Sequence, residues 1–496
     1  MSKLNKDVIF LILKELQNDP SSFYSCLLIN RIWCETTVPI LWKNPAKLFR
    51  SYKRKCKASK SLLNIILSHI SEESRYNLKN QGIDLFTEIQ KKPLFNYIRY
   101  WRYLDLNFLE YLLNVLGTTP LSLISGSEDC FSKLEYFYCN NKTSSKILEG
   151  LAQTNKQIRK FEIIIMCDDR ENSDNSTEVV KLIEAQGNLK EINFIRKNFY
   201  MNAKSYCKNL EESLIKHADT VQYLRIDWEP ITKFLSYLVN LVSLDLTYIC
   251  YERDHYDNLK TISLPLLKFL KAKHIPSNIL SSLIESTKGY LVEISILYHY
   301  IFDKGRLIRA IYQNCLNLKI LKLSMTNENI SDFEYLLINC QYLNSLEVIG
   351  TNYFDWDELF EILTKSTPIG LFKFTFTSPI SDLKRKMNSI KLFLDNWKDR
   401  HSMSLYIVSL EEAYMKMLKQ QRRKFQQQDK QQQQILENLL QQYVAIGSKS
   451  PLISGSEDCF SEIEYFCCYS DKANKLENLN FLLTIKILAV QLKSLN

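Results

Sequence analysis

Eleven times between residues 101 and 376 the chain repeats one short pattern: an apolar residue, two variable ones, an apolar one, one variable, and a last apolar one. The clearest copies are Leu241-x-x-Leu244-x-Leu246, Leu318-x-x-Leu321-x-Leu323 and Leu343-x-x-Leu346-x-Val348. Others start at Ile158, Leu189, Val221, Leu267, Leu291 and Leu371, and weaker ones at Trp101 and Leu134. Successive starts lie 20 to 33 residues apart, mostly 24 to 28. The last three positions alternate in polarity, as a short strand with one buried face must. Between the strands lie amphipathic stretches at helical spacing: Thr177–Ala185, Asn278–Ser286, Arg306–Cys315, Asp332–Cys340 and Asp357–Lys365. Cys315 and Cys340 each precede a repeat by three residues, where a small buried side chain closes the helix. One strand and one helix cannot bury their own apolar faces, so the units must stack on their neighbours. The class is α/β, with parallel strands on the inside and helices outside. Only 11 Gly and 11 Pro in 496 residues agree with this better than with a turn-rich sandwich or barrel.

The residue between the last two apolar positions of each repeat must face away from the core. In order these are Asp105, Tyr138, Glu162, Asn193, Arg225, Asp245, Lys271, Ser295, Lys322, Glu347 and Thr375, of which four are acidic and three basic. A neighbouring row carries Tyr103, Tyr136, Tyr223 and Phe269. A groove for nucleic acid should be mostly basic, whereas a mixed surface rich in Tyr suits a protein partner. The candidate binding face is therefore Tyr138, Tyr223, Arg225, Asp245, Phe269, Lys271, Lys322 and Glu347.

The stretches around the repeats are of different kinds. Residues 1–45 hold apolar residues at helical spacing, Leu4, Val8, Ile9, Ile12, Leu13 and Leu16. A break at Asp19-Pro20 follows, then Phe23, Cys26, Leu27, Ile29 and Trp33, and then Pro39, Leu41 and Trp42. This predicts three short helices. Residues 46–97 read as a basic helical linker and cap. Residues 405–445 carry eleven Gln and no Gly or Pro between 411 and 443, which predicts one long helix with a patchy apolar seam. Residues 446–496 form a tail in which Leu452–Cys468 matches Leu123–Cys139 at 14 of 17 positions. That identity exceeds what repeat architecture demands and points to a partial duplication of the coding sequence or a gene-model artefact, and the tail copy is not expected to have a stack end to join.

The repeat period and pattern over residues 98–400 resemble those of leucine-rich-repeat proteins, whose units form a curved solenoid. The first 42 residues resemble an F-box: Leu4, Val8-Ile9, Ile12 and Leu16, then Asp19, then Cys26-Leu27-Leu28-Ile29-Asn30-Arg31-Ile32-Trp33, and finally Pro39-Ile40-Leu41-Trp42. Asn5 stands where that family usually has Pro. The order, F-box first and repeats after, is similar to that of substrate-recognition subunits of cullin-based ubiquitin ligases. The resemblance implies that the N-terminal unit docks on a Skp-family adaptor while the repeats hold a protein substrate. The residues expected at the adaptor are Leu4, Val8, Ile9, Ile12, Leu16, Ile29, Trp33 and Trp42. A unit of about 40 residues cannot cover all of these itself, and uncovered apolar patches mark partner sites. A second reading stays open, in which the repeats are an interaction scaffold with no ubiquitin role.

The common signatures of enzymes are absent: there is no GxGxxG, GxxxxGK[ST], HExxH or GxSxG. The six His have no ligand spacing, and the acids around Asp168 read as a solvated loop. No catalytic residue, metal or cofactor is expected. The 13 Cys form no CxxC pair, no secretory signal is evident, and no apolar run reaches the ~18 residues of a membrane span. A cytoplasmic or nuclear protein that binds neither membrane nor nucleic acid is the expectation. The basic run Lys43–Lys60 reads as a solvated face rather than a nucleic-acid site.

Overall fold

The structure is a computed structural model. It describes residues 4–16, 20–46, parts of 62–80, 93–109, 131–166, 176–196, 204–247, 257–260, 262–297, 304–350, 354–378, 387–397, 402–409 and 463–464. The chain divides into two units, Met1–Leu264 and Pro265–Asn496.

In the first unit six strands lie side by side in chain order, all parallel: β1 (Tyr103–Asp105), β2 (Tyr136–Asn140), β3 (Lys160–Ile165), β4 (Glu191–Arg196), β5 (Tyr223–Ile226) and β6 (Ser243–Thr247). The second unit repeats the arrangement with β7 (Phe269–Lys273), β8 (Glu293–Leu297), β9 (Ile320–Met325), β10 (Ser345–Gly350), β11 (Lys373–Ser378), β12 (Met403–Ser409) and the two-residue β13 (Ile463–Glu464). The register puts like positions opposite each other. Leu104, Phe137, Phe161, Ile192, Leu224 and Leu244 make one inward row, and Leu270, Ile294, Leu321, Leu346, Phe374 and Leu405 its counterpart. None of these is more than 2% exposed. Helices connect most successive strands among the described residues, including Ser145–Thr154, Ser176–Glu184 and Lys204–Ser213 in the first unit and Ser277–Glu285, Lys304–Asn314, Ile330–Asn339 and Trp356–Ser366 in the second. Between β5 and β6 a single 3-10 turn, Phe234–Tyr237, replaces the helix, which is why that repeat is the shortest. This is the strand–helix architecture of a leucine-rich-repeat solenoid. It runs past residue 400, because Met403, Leu405 and Ile407 are buried and extend the same sheet.

Two devices tie neighbouring repeats together. Just before most of the strands, one carbonyl accepts two successive amides from the next repeat. Arg102 O takes Glu135 and Tyr136 N at 2.8 and 2.9 Å, and Val292 O takes Lys319 and Ile320 N at 2.8 and 3.1 Å. At the helix ends, a buried column of small or polar residues reaches back one repeat. Gln186 donates from Nε2 to Asn155 O at 3.1 Å while its Oε1 accepts from Ile158 N at 3.0 Å. His217 Nε2 meets Ile183 O at 2.9 Å, and Cys340 Sγ donates to Cys315 O at 3.7 Å. Burial pushes both thiols up to about 12, so they remain protonated and act as small apolar spacers.

The predicted N-terminal trio is present as α1 (Lys6–Glu15), α2 (Pro20–Leu27) and α3 (Arg31–Leu41). Asn30 caps α3 by accepting from Trp33 N at 3.1 Å. Ile9, Leu13, Leu16, Phe23, Cys26, Val38 and Leu41 fill the space between the helices. Immediately after α3, Lys43 O accepts Arg102 N and Tyr103 N at 3.1 Å each. The helical trio thus supplies the first carbonyl of the same ladder that links the repeats. Residues 47–60 of the basic run, the acids around Asp168, His299 and residues 410–445 of the expected Gln-rich helix lie outside the described residues, while its expected first residues, 405–409, belong to strand β12. Of the duplicated tail segment only Ile463–Glu464 is described. Contrary to the expectation that this copy has no stack end to join, it pairs in parallel with Met403–Ser404.

Candidate protein-binding surfaces

The first surface is the outside of α1 and α2. In α1 positions 8 and 11 fall on one side and 9, 13 and the C-cap 16 on another, since each residue turns the chain by about 100°, while Leu4 precedes the N-cap Asn5. Leu4, Val8 and Leu11 accordingly stay exposed, whereas Ile9 is 1% and Leu16 5% exposed. The adaptor set expected from sequence therefore mixed two stripes: Ile9 and Leu16 belong to the core of the trio. Ile12 and Trp33 are half-buried, and Trp42 is half-buried with its ring 4.5 Å from that of Tyr97. Ile29 is exposed as expected, and beside it Phe10, Tyr24 and Leu28 are exposed too. Sequence reading passed over these three because they fall off the helical stripe; their being apolar despite that was the available signal. Asn5 caps α1, its Oδ1 accepting Asp7 N at 3.4 Å.

The second surface is the outward face of the strands. The outward row expected from sequence is in register in both units: Asp105, Tyr138, Glu162, Asn193, Arg225 and Asp245 in the first, and Lys271, Ser295, Lys322, Glu347 and Thr375 in the second. Tyr223 and Phe269 are exposed one row away. Tyr406, on β12, continues the second row and was missed because its repeat lacks a clear apolar triplet.

In the first unit this face is organised by tyrosines. The rings of Tyr103 and Tyr136 stack with centroids 3.8 Å apart and 10° between planes. Tyr136 Oη donates to Glu162 Oε2 at 2.7 Å, and Asn193 Nδ2 donates to the same oxygen at 3.4 Å. Lys160 Nζ lies 5.3 Å from the Tyr136 centroid and is ion-paired with Glu191. Arg225 is held by Asp227, Nε to Oδ1 at 3.0 Å and Nη2 to Oδ2 at 3.2 Å. Asp105 accepts from Phe108 N at 2.9 Å, and burial raises its pKa. Burial, together with the charges of Asp105 and Glu162, pushes the Tyr138 hydroxyl up to about 12. In the second unit Lys322 and Glu347 form an ion pair at 2.6 Å.

Behind β5 a carboxylate does purely structural work. Glu211 is fully buried and accepts from Trp228 Nε1 at 2.8 Å, Ile231 N at 2.9 Å and Thr232 N at 2.7 Å, pinning the loop that leaves the strand. Among the described residues no group of three or more His, Cys, Asp or Glu is placed to hold a metal ion, and no helix is long and apolar enough to cross a membrane.

No family model and no curated protein matches the chain. Solved structures do. The complex of Rad7 and Elc1 in yeast matches at 14% identity over 63% of this chain and 83% of that one, with a TM-score of 0.37. The leucine-rich repeat-containing protein LegL7 from Legionella pneumophila matches at 12% identity over 58% and 87%, with a TM-score of 0.33. A protein from Bacteroides fragilis matches at 12% identity over 52% and 72%, with a TM-score of 0.32.

Proposed function

We propose that this chain recruits a protein substrate to a cullin-based ubiquitin ligase, with its N-terminal helices on a Skp-family adaptor and its strand face on the substrate. The observation that carries the reading is the apolar outside of the helical trio. Leu4, Val8, Phe10, Leu11, Tyr24, Leu28 and Ile29 are all more than a third exposed. Covering one Leu or Ile contributes about 1.5–3 kcal/mol, so a partner that covers a few of them gains enough to hold a stable contact. The resemblance of residues 1–42 to an F-box supports a Skp-family adaptor as that partner. In this reading the chain is not an enzyme, because the transfer chemistry resides in the partners. It works in the cytoplasm, the nucleus or both, without nucleic acid or membrane. The mixed charge of the strand face favours a protein as the bound species.

The test is to capture the full chain from cells and probe for the adaptor and the cullin, alongside a Val8→Asp, Leu11→Asp variant. Both partners should accompany the wild type and neither the variant. If the wild-type chain brings down no Skp-family protein, the interaction-scaffold reading replaces this one.

A further inference from the structure

The outward face of β1 to β4 is unlike that of the second unit. Tyr138 stands between Asp105 on one neighbouring strand and Glu162 on the other. Strands are spaced by ~4.8 Å, so the two carboxylate-bearing positions lie roughly 10 Å apart across one tyrosine. One step along the strands, the stacked pair Tyr103–Tyr136 forms an aromatic wall, and its hydroxyl fixes Glu162. Among the described residues neither Asp105 nor Glu162 has an ion-pair partner. Their hydrogen bonds come from the backbone amides of Phe108 and Asn107, a phenol and a carboxamide. The nearby cations are already engaged, Lys160 with Glu191 and Arg225 with Asp227.

Three tyrosines and two carboxylates without an ion pair make a site for a cation. The carboxylates supply charge, and a ring face attracts an ammonium or guanidinium within about 6 Å of its centroid. The described residues contain two instances of that attraction, Lys160 over Tyr136 and Lys373 over Tyr406. A planar guanidinium can stack on Tyr138 while donating to an acid on either side. The half-buried carboxylates repel each other and the phenol between them, and an incoming positive charge relieves both.

We infer that this face of the first unit binds an Arg- or Lys-bearing extended segment of a partner protein, with one basic side chain seated over Tyr138 between Asp105 and Glu162. The inference rests on the reading of the strand face as the substrate surface, and it names the substrate's chemistry: a basic segment. The whole chain carries a formal charge of +9, so attraction of a basic peptide must come from a local field and not from net charge.

The test uses the full chain and two labelled, capped nonapeptides, one alternating Arg with Ser and one alternating Glu with Ser, read by fluorescence anisotropy at low salt. The Arg peptide should bind and the Glu peptide should not. Asp105→Asn with Glu162→Gln should weaken the Arg peptide by about tenfold or more, at 1.4 kcal/mol per tenfold. Tyr138→Ala should weaken it similarly, while Glu361→Gln, an exposed carboxylate on the helix Trp356–Ser366, should leave it unchanged. Circular dichroism of each variant must match the wild type; if Tyr138→Ala fails this check, Tyr138→Leu, which keeps apolar bulk without a ring face, replaces it. Equal affinity for both peptides, no Arg-peptide binding at roughly millimolar concentration, or an unchanged affinity in the double variant would each overturn the inference. The same double variant should still capture the Skp-family adaptor, so a failure here and a failure of the ligase reading are seen separately.

Discussion

Replacing Leu321 with alanine should cost far more stability than replacing its neighbour Lys322. Leu321 is 0% exposed and lies in register between Ile294 on β8 and Leu346 on β10. Truncating such a side chain loses its transfer free energy and leaves a cavity between two fixed strands, for a total of about 2–5 kcal/mol. Lys322 points to the other face. Its Nζ is 2.6 Å from the Glu347 carboxylate, with the two side chains 30% and 28% exposed. A partly solvated pair of this kind contributes about 0–1 kcal/mol. The expected gap between the two variants is thus about 1–5 kcal/mol. Urea titration of the full chain, followed by circular dichroism, measures it. Each repeat leans only on its neighbours, so hydrogen exchange should also show the loss concentrated at β8, β9 and β10. Equal destabilisation by the two variants would mean that inward and outward positions have been exchanged, and with them the whole assignment of the binding face.

Other perturbations probe other parts. Glu211→Ala strands the donors of Trp228, Ile231 and Thr232 in the interior at about 1–3 kcal/mol each, so a loss of about 3 kcal/mol or more is expected in the same titration. Burial raises the Glu211 pKa above 4.5; its contribution to stability is therefore greatest at acid pH and declines as pH rises through the folded value, and the variant should lack that slope. A Cβ on Gly350 would sit 2.6 Å from Trp356 Cζ2 and 3.0 Å from Phe354 Cδ1. Gly350→Ala should therefore cost about 1–3 kcal/mol, and an unchanged melting temperature would show that the ring packing is wrong. Asn5 has φ −62° and ψ 146°, values a proline adopts without strain. Asn5→Pro should then shift the melting of α1 by no more than the ~1 kcal/mol of a lost cap, and collapse of the helix would refute the assigned start.

Much of this fold was legible in the sequence because a strand with one buried face leaves a two-residue rhythm. The triplets at Leu321–Leu323 and Leu346–Val348 therefore specified both the core row and, one position over, Lys322 and Glu347. Helices came through for the same reason, to within one or two residues, as with Asn278–Ser286 against Ser277–Glu285. Where the pattern is mixed, periodicity alone misled. In α1 almost every turn is apolar, so the inward set Ile9, Leu13 and Leu16 cannot be separated from the outward set Leu4, Val8 and Leu11 without knowing where α3 packs. Pairings between distant residues were invisible for a different reason. Nothing local in Glu211 announces Trp228 and Thr232, and although the outward row orders Asp105, Tyr138 and Glu162, nothing in it announces that Tyr136 fixes Glu162. Those contacts exist only once the stack has formed.

The most direct measurement of the central claim is a calorimetric titration of the full chain with a purified Skp-family adaptor. Wild type should bind with a dissociation constant at or below about a micromolar, near −8 kcal/mol. Val8→Asp with Leu11→Asp should abolish the heat of binding while leaving the circular dichroism unchanged, because both side chains lie outside the helical core. Ile9→Asp should instead lower the melting temperature of the helices, because Ile9 is buried. Absence of wild-type binding at micromolar concentration, or binding unaffected by the Val8 and Leu11 changes, would contradict the account of the N-terminal helices as the adaptor-docking unit.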